Sequence, residues 1–504
     1  MVYRRRKTRN PRPHHPLGFV RGWSIYGINL GLRFGGVRAP GSITWSGIGG
    51  DSNWSTSSNW AGSSAPIAGD SLIFTGATGL SPVNNISSLT LVSIAFPGTS
   101  TFAVSGNQVL MPTGSITSSS TVAQGIATPV AVSGSLTVGG TSAGTLTLSG
   151  VVSGAGTLTK TGSNTVAITA NPTYTGATTI SAGTLKLSVT GMSSVSYAIA
   201  SGAVLEFSPG SSTTGAASTT ITGTGTMRKT GAGALVHGSP MLTMNMGSGG
   251  LIDVVAGEFT GGNFGNEVWT GNLADLAITS GAIFDGIEAN VRVNSVSGAG
   301  SLKTGYAGAG YVEMVIGVNN GTGATFSGVI ADSVNAGSIR KSGTGTQTLS
   351  GANTHTGTTT VAGGTLSITG SLSASSAVTV DGGALRGTGT VGAVTVANTA
   401  NSAIHGGTGA AGTLTTGALT FNGATAALRV NTDGTSTVSV VAAAAVTLGS
   451  VTVNFNTGLA LTAGTFSVIT GTSMVGTATQ GTLPPGRTWT SLTVVGNNLV
   501  AVLA

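Results

Sequence analysis

The chain has 504 residues, of which 84 are glycine, 39% hydrophobic, 7% charged and 5% aromatic, with no cysteine. It is too rich in glycine and too poor in charge for an ordinary globular enzyme, and too apolar for a disordered chain. Without cysteine there are neither disulfides nor thiolate metal sites, so stability must come from pairing and stacking, and the composition also suits a chain that crosses a narrow export pore unfolded.

Charge is unevenly placed. Nine of the 20 basic residues (Arg4, Arg5, Arg6, Lys7, Arg9, Arg12, Arg21, Arg33 and Arg38) precede Ala39, and all 13 acids follow it. Residues 39–504 hold 11 basic and 13 acidic residues, a net of −2, so a nucleic-acid groove along the body is unsupported. Residues 1–40 read as a basic leader or disordered arm, or as a start codon placed too far upstream. Arg21 and Arg33 interrupt its apolar part, which makes a poor secretory signal. As a block of like charge, this arm is the one place where nucleic acid or anionic lipid would bind. No run reaches the roughly 18 apolar residues that span a bilayer.

Residues 41–100 open with Trp45, Trp54 and Trp60 close together. Clustered indoles pack into a cap over the first coils, or offer flat faces on which sugar rings stack, which makes these three the candidate glycan-binding residues. Short alternating runs follow at 89–94, 108–111, 134–138, 144–148 and 156–159, separated by Gly, Ser and Asn turns. Val, Ile, Leu and Thr dominate them, proline is rare, and no convincing amphipathic helix interrupts them, so the class is all-β.

One stretch recurs without a gap. GTLTKTGSNTVAITANPTYTGATTISAGTLKL at 156–187 returns as GSIRKSGTGTQTLSGANTHTGTTTVAGGTLSI at 337–368. Gly156, Lys160, Gly162, Tyr174, Gly176 and Gly183 map on Gly337, Lys341, Gly343, His355, Gly357 and Gly364. Degenerate copies lie at 223–233 (GTGTMRKTGAG) and 298–305 (GAGSLKTG). A unit of this size with short strands cannot bury its apolar face alone and must stack on its neighbours, which predicts a solenoid. The lysines at 160, 229, 303 and 341 fall at strand ends, where an amine reaches turn carbonyls or points to solvent.

These residues resemble the passenger-associated transport repeat, also called the autotransporter-associated β-strand repeat. Its pattern falls on Gly154, Gly156, Leu158, Lys160, Gly162, Tyr174, Gly176, Thr178, Ile180, Gly183, Leu185 and Leu187, with the asparagine displaced by one position to Asn171. The second copy keeps Asn353 but has Asn335 for the leading glycine, Ile339 for the first leucine and His355 for the tyrosine. The resemblance implies a right-handed parallel β-helix (β-solenoid), secreted or exposed on a bacterial surface, whose repeat aids transport of the passenger. It implies export machinery as a partner. No end segment reads as the roughly eight or more girdled strands of a translocator barrel, so another protein exports this one or it is not an autotransporter in the strict sense.

Chemistry is hard to find. No two acids stand at i, i+2, the spacing that puts both on one strand face, and the only region with several is 253–288, including Asp253, Asp275, Asp285 and Glu288. The five histidines show no metal spacing. Gly140–Gly144 matches Gly-x-Ser-x-Gly but opens a strand where a nucleophile elbow opens a helix. Threonine pairs such as Thr145/Thr147 and Thr157/Thr159 suit a flat ice-binding array, but they do not recur at every coil and read as ordinary outward strand positions.

The resulting expectation is a basic leader or arm at 1–40, a Trp-rich N-terminal cap with the first coils at 41–100, a right-handed parallel β-helix at 101–440 and a β-rich C-terminal cap at 441–504. Function is read as a non-enzymatic, exported or surface-displayed rod, adhesin-like or structural, that meets a host or neighbouring cell surface and its glycans. Neither catalytic residues, metal nor cofactor are assigned, and self-association of rods is compatible with the fold. Two alternatives are a viral or phage fibre tied to its particle by the basic arm, and a polysaccharide-degrading β-helix enzyme acting through Asp285 and Glu288.

Overall fold

The computed structural model describes residues 38–504 except 189–193, 195, 215–217, 238–241, 262–268, 287–289 and 306–312. Pro40–Ala504 form one unit, an all-β solenoid whose strands pair in parallel from turn to turn. Among the described residues the sole helical element is the single 3-10 turn Ser57–Asn59.

A turn has three sides. Thr157–Thr161, Thr165–Ile168 and Thr173–Tyr174 lie on successive sides, and Thr178–Ile180 then returns beside Thr157–Thr161. Side chains alternate in and out along each strand, so one residue in two reaches the interior. On the second side a single ladder runs from Val83–Asn84 to Ala478–Gln480, one strand per turn. Leu146, Val166, Leu185, Leu205, Met227, Ile252, Leu276 and Val296 stack along it in register, each 0% exposed. Each such side chain gains about 1.5–3 kcal/mol by leaving water. The interior is one continuous apolar cluster from Ile43 to Leu503. Pairing becomes antiparallel at the end, where Asn498–Leu503 lies between Gly464–Thr470 and Trp489–Val495.

The repeat glycines mark where one turn crosses the next. Gly162 has φ +69°, and a Cβ there would meet the Gly140 carbonyl oxygen at 2.1 Å. Its counterpart Gly343 has φ +65° and would meet the Gly317 oxygen at 2.1 Å. Gly176 and Gly357 would strike the carbonyl oxygens of Gly156 and Gly337 at 2.2 and 2.5 Å. Gly183 and Gly364 share the left-handed region, at +64° and +57°. The two copies therefore have the same backbone, and the sequence repeat is a geometric one.

Three of the four lysines turn inward. Lys160 lies in register between Val138 and Ile180, Lys229 between Phe207 and Val254, and Lys341 between Ile316 and Val361. They are 0, 0 and 2% exposed. The stem fills an apolar slot while the amine leaves by the corner to meet backbone carbonyls. Lys160 Nζ donates to Thr161 and Gly162 at 2.8 Å and to Ala182, one turn on, at 3.0 Å. Lys229 Nζ repeats this with Thr230 (2.9 Å), Gly231 (3.0 Å) and Ala256 (2.9 Å). Lys341 does so with Ser342 (2.5 Å), Gly343 (3.5 Å) and Gly363 (3.4 Å). Burial pulls all three down to about 8. Three carbonyls match the three N–H donors of an ammonium, which holds the charged form against that pull. Lys303 differs: it stays partly exposed on another ladder, with Nζ 3.9 Å from Asp285.

Tyr174 and His355 take the same inward place. Tyr174 Oη lies 2.7 Å from Thr178 Oγ1, and burial pushes its phenol up to about 12. His355 Nε2 lies 3.0 Å from Thr359 Oγ1 and 3.2 Å from Ser376 Oγ. Burial holds the imidazole below its ordinary value, against the pull of Asp332.

Three outcomes follow from this architecture. Gly50 has φ +87° with open space around it. Gly50→Ala should therefore cost only the left-handed strain of about 1–2 kcal/mol, whereas Gly162→Ala adds a backbone clash. Denaturant midpoints should fall clearly further for Gly162→Ala, and equal midpoints would show that the turns are not held at this spacing. Lys160→Met keeps the stem and strands three carbonyls, which should lower stability by about 1–3 kcal/mol, read as earlier exchange of amides around residues 161–183. As pH falls below the ordinary histidine value of about 6.5, the unfolded chain takes up a proton that buried His355 refuses, so stability declines. His355→Tyr, the residue of the first copy, should flatten that acid slope, and an unchanged slope would place its origin elsewhere.

Candidate functional site

The three tryptophans proposed as sugar platforms are interior residues: Trp45, Trp54 and Trp60 are 1, 0 and 1% exposed. Trp45 and Trp60 meet edge to face at 5.0 Å, Trp54 and Trp60 at 6.1 Å, and all three surround Phe74. Phe74 stacks on Phe96, which touches Phe102, so the cluster passes its rings down the axis of the first turns. Trp45 and Trp60 donate their indole N–H groups to the carbonyls of Gly79 and Trp54, each at 2.8 Å. A sugar needs an open indole face, and here other rings fill that space. The glycan-stacking assignment is therefore replaced by a plug that closes the hydrophobic interior, and aromatic clustering alone could not tell the two apart.

The acids of the 253–288 region are held apart. Asp253 pairs with Arg228 at 2.9 Å. Asp275 accepts from Asn294 Nδ2 (2.8 Å) and Ser295 Oγ (2.6 Å). Asp285 lies on another ladder and accepts from Ser333 Oγ at 3.0 Å. Glu288 lies outside the described residues. Asp253, Asp275 and Asp285 each have their own neighbours, and no group of three or more metal-ligating side chains occurs among the described residues. Ser376, His355 and Asp332 do sit near one another, but Ser376 and His355 are 0% exposed, so no substrate reaches the hydroxyl. Ser142 of the Gly-x-Ser-x-Gly match lies in the turn between strands Ser135–Gly139 and Leu146–Leu148, where it donates to the Ser120 carbonyl.

The surface is organised in columns. On the second side Lys186, Glu206, Arg228 and Asp253 occupy the same outward place in four successive strands. Lys186 Nζ is 2.8 Å from Glu206, which also accepts from Thr230 Oγ1 at 2.8 Å. Burial pushes the Glu206 carboxyl up, but the Lys186 and Thr230 hydrogen bonds and the Lys186 and Arg228 charges prevail and hold it below the usual range. Alternating signs neutralise this column, and partly exposed pairs of this kind contribute about 0–1 kcal/mol each.

Hydroxyls form columns too. Ser115, Thr137, Thr159 and Thr179 stand side by side, continued past Ala198 by Thr222. Thr360, Thr379, Thr395, Thr420 and Thr447 make an unbroken second column. Single outward threonines thus line up in register, while pairs such as Thr145/Thr147 do not recur at every coil, since Thr147 lies between Gly125 and Ala167. Turn length varies, as between the step Thr379 to Thr395 and the step Gly298 to Phe326, and hides the register from the sequence.

Comparison with known proteins agrees with this architecture. Residues 151–187 and 339–368 match the family model of the passenger-associated-transport-repeat. Over 147 residues the chain is 34% identical to the Adhesin BmaC autotransporter of Brucella suis biovar 1 (strain 1330), a match that takes in 29% of this chain and 4% of that protein. The viral-fibre and polysaccharide-degrading alternatives draw no support from either match. The chain is a parallel β-solenoid that carries passenger-associated transport repeats and is similar, over part of its length, to an autotransporter adhesin.

Proposed function

We propose that this chain is a passenger-type rod, exported or displayed at a bacterial surface, that attaches its bearer to other surfaces without catalysing a reaction. The supporting observation is the combination of an uninterrupted parallel ladder with the partial likeness to an adhesin. Stacked turns place their outward columns along the rod, and such extended faces are what solenoids use for binding. Asp253 and Asp275 lie on one ladder and Asp285 on another, each with its own hydrogen-bond donors, and the buried Ser376–His355 pair is sealed. The sealed pair and the dispersed acids favour binding over turnover.

In this reading the partners are an export apparatus and components of a host or neighbouring cell surface. Beads coated with the full-length chain should adhere to such cells at least several-fold above uncoated beads, and heat-unfolded protein should not support the effect. Adhesion no greater than that of uncoated beads across epithelial cells, extracellular matrix and bacterial lawns would remove the proposal.

A further inference from the structure

The ladder that neutralises its charges between Lys186 and Asp253 does the opposite further along. Arg386, His405 and Arg429 occupy the same outward place in three successive strands, Ala384–Gly387, Ala403–Gly406 and Ala427–Val430. No carboxylate stands in that column. Strands about 4.8 Å apart put the two arginine backbones about 10 Å from each other. The two guanidiniums carry like charge with no carboxylate between them, so their mutual repulsion goes unanswered within the column.

Polar contacts around the column leave the cations unspent. His405 is 7% exposed, and its Nδ1 lies 3.2 Å from Asn431 Nδ2. The charged groups that act on it are Arg429 and Arg386, and burial and these two charges push it down to about 4, so the imidazole is neutral at physiological pH. Arg386 Nε is buried without a hydrogen-bond partner, and Arg429 is exposed. The nearest acid in sequence, Asp381, accepts from Thr399 Oγ1 at 2.6 Å, and Asp433 accepts the N–H groups of Thr435 and Thr437 at 2.9 and 3.0 Å.

A groove of about 540 Å³ adjoins the column. Its floor is the stacked corner Gly343, Gly363, Gly364, Gly382 and Gly383, whose turns succeed one another along the rod, and Arg429 forms part of its wall. A linear chain can lie in such a trough with backbone groups beneath it and a guanidinium beside it. Arginine pairs with carboxylate or sulfate through two parallel N–H donors, which gives direction as well as charge.

We propose that the Arg386–His405–Arg429 column and the glycine-floored groove beside it bind an acidic polysaccharide, carboxylated or sulfated, running along the rod. Nucleic acid is the less fitting polyanion, because the groove lining contains no aromatic side chain on which bases would stack. The proposal rests on the adhesive reading and names the chemistry of its ligand.

The test compares the full-length wild type with an Arg386→Gln/Arg429→Gln double variant, and with Arg228→Gln in the neutralised column as control. Binding is measured to immobilised polygalacturonate, heparin, neutral dextran and duplex DNA over a salt series, with circular dichroism confirming equal folding. Comparing variants cancels any contribution of the basic residues before Ala39. The double variant should lose about tenfold or more in affinity for polygalacturonate or heparin, the arm that responds identifying the carboxylated or sulfated source. Arg228→Gln should bind as wild type, and dextran should bind to none. Unchanged glycan affinity in the double variant would overturn the proposal, and so would loss confined to DNA. If the double variant loses its glycan affinity while bead adhesion persists, adhesion proceeds through another face; if wild-type beads never adhere, the adhesive reading fails by itself.

Discussion

The fixed distance between parallel strands governs this molecule. Inter-strand hydrogen bonds hold neighbouring turns about 4.8 Å apart, and the corners must stack at the same pitch as the strands. At that separation a corner residue lying over another has no room for a Cβ. Gly300, Gly328, Gly351, Gly370 and Gly389 form a column in which an added Cβ would fall 1.8–2.1 Å from the carbonyl oxygen of the glycine before it. The glycine content that makes the composition so unusual is therefore the covalent trace of turn-on-turn contact. Flexibility is not its purpose, since each of these glycines is pinned by its neighbour.

Corners create a second problem, which the buried lysines solve. A tight turn points several carbonyls at one spot, and the strand ladder cannot satisfy them all. Lys160, Lys229 and Lys341 each send one ammonium to that spot, bridging two carbonyls of their own turn and one of the next. The long stem is as important as the charge, because it occupies an apolar slot between Val138 and Ile180 or its equivalents. An arginine fork would present too many donors and a plane that the corner cannot accommodate. The same device appears on strands of three different ladders, Lys229 lying on the one that contains Thr165–Ile168, so it belongs to the corner and not to one face of the repeat.

How far the sequence could be read depended on whether a feature was local. The pairing of 156–187 with 337–368 was legible because both copies keep their internal spacing, and the same φ values and glycine contacts recur in each. The inward turn of Lys160 was visible only as a strand-end position. Trp45, Trp54 and Trp60 were seen as a cluster, but whether indoles face solvent or one another is decided by Phe74, Phe96 and Phe102 arriving from later turns. Columns were invisible altogether. Arg386, His405 and Arg429 are unremarkable in the linear text, and only the register of three strands separated by turns of unequal length brings them together.

That register also bears on function. In a globular enzyme, distant residues converge on a pocket; in a solenoid they converge on a line, because each strand contributes one outward residue to each column. Selection acting on such a fold therefore writes recognition as a sequence of side chains read along the axis. The second side carries two such lines: Lys186 to Asp253 alternates in sign and closes on itself, while Arg386 to Arg429 repeats one sign and leaves its charge to be answered from outside. The threonine columns carry no charge and expose little for a partner to grip beyond hydroxyl groups at strand spacing. A rod of nearly neutral body charge can thus remain inert over most of its surface. The ladder departs from neutrality at Arg386 and Arg429, which flank a neutral His405, and that is where the proposed polyanion would meet the rod.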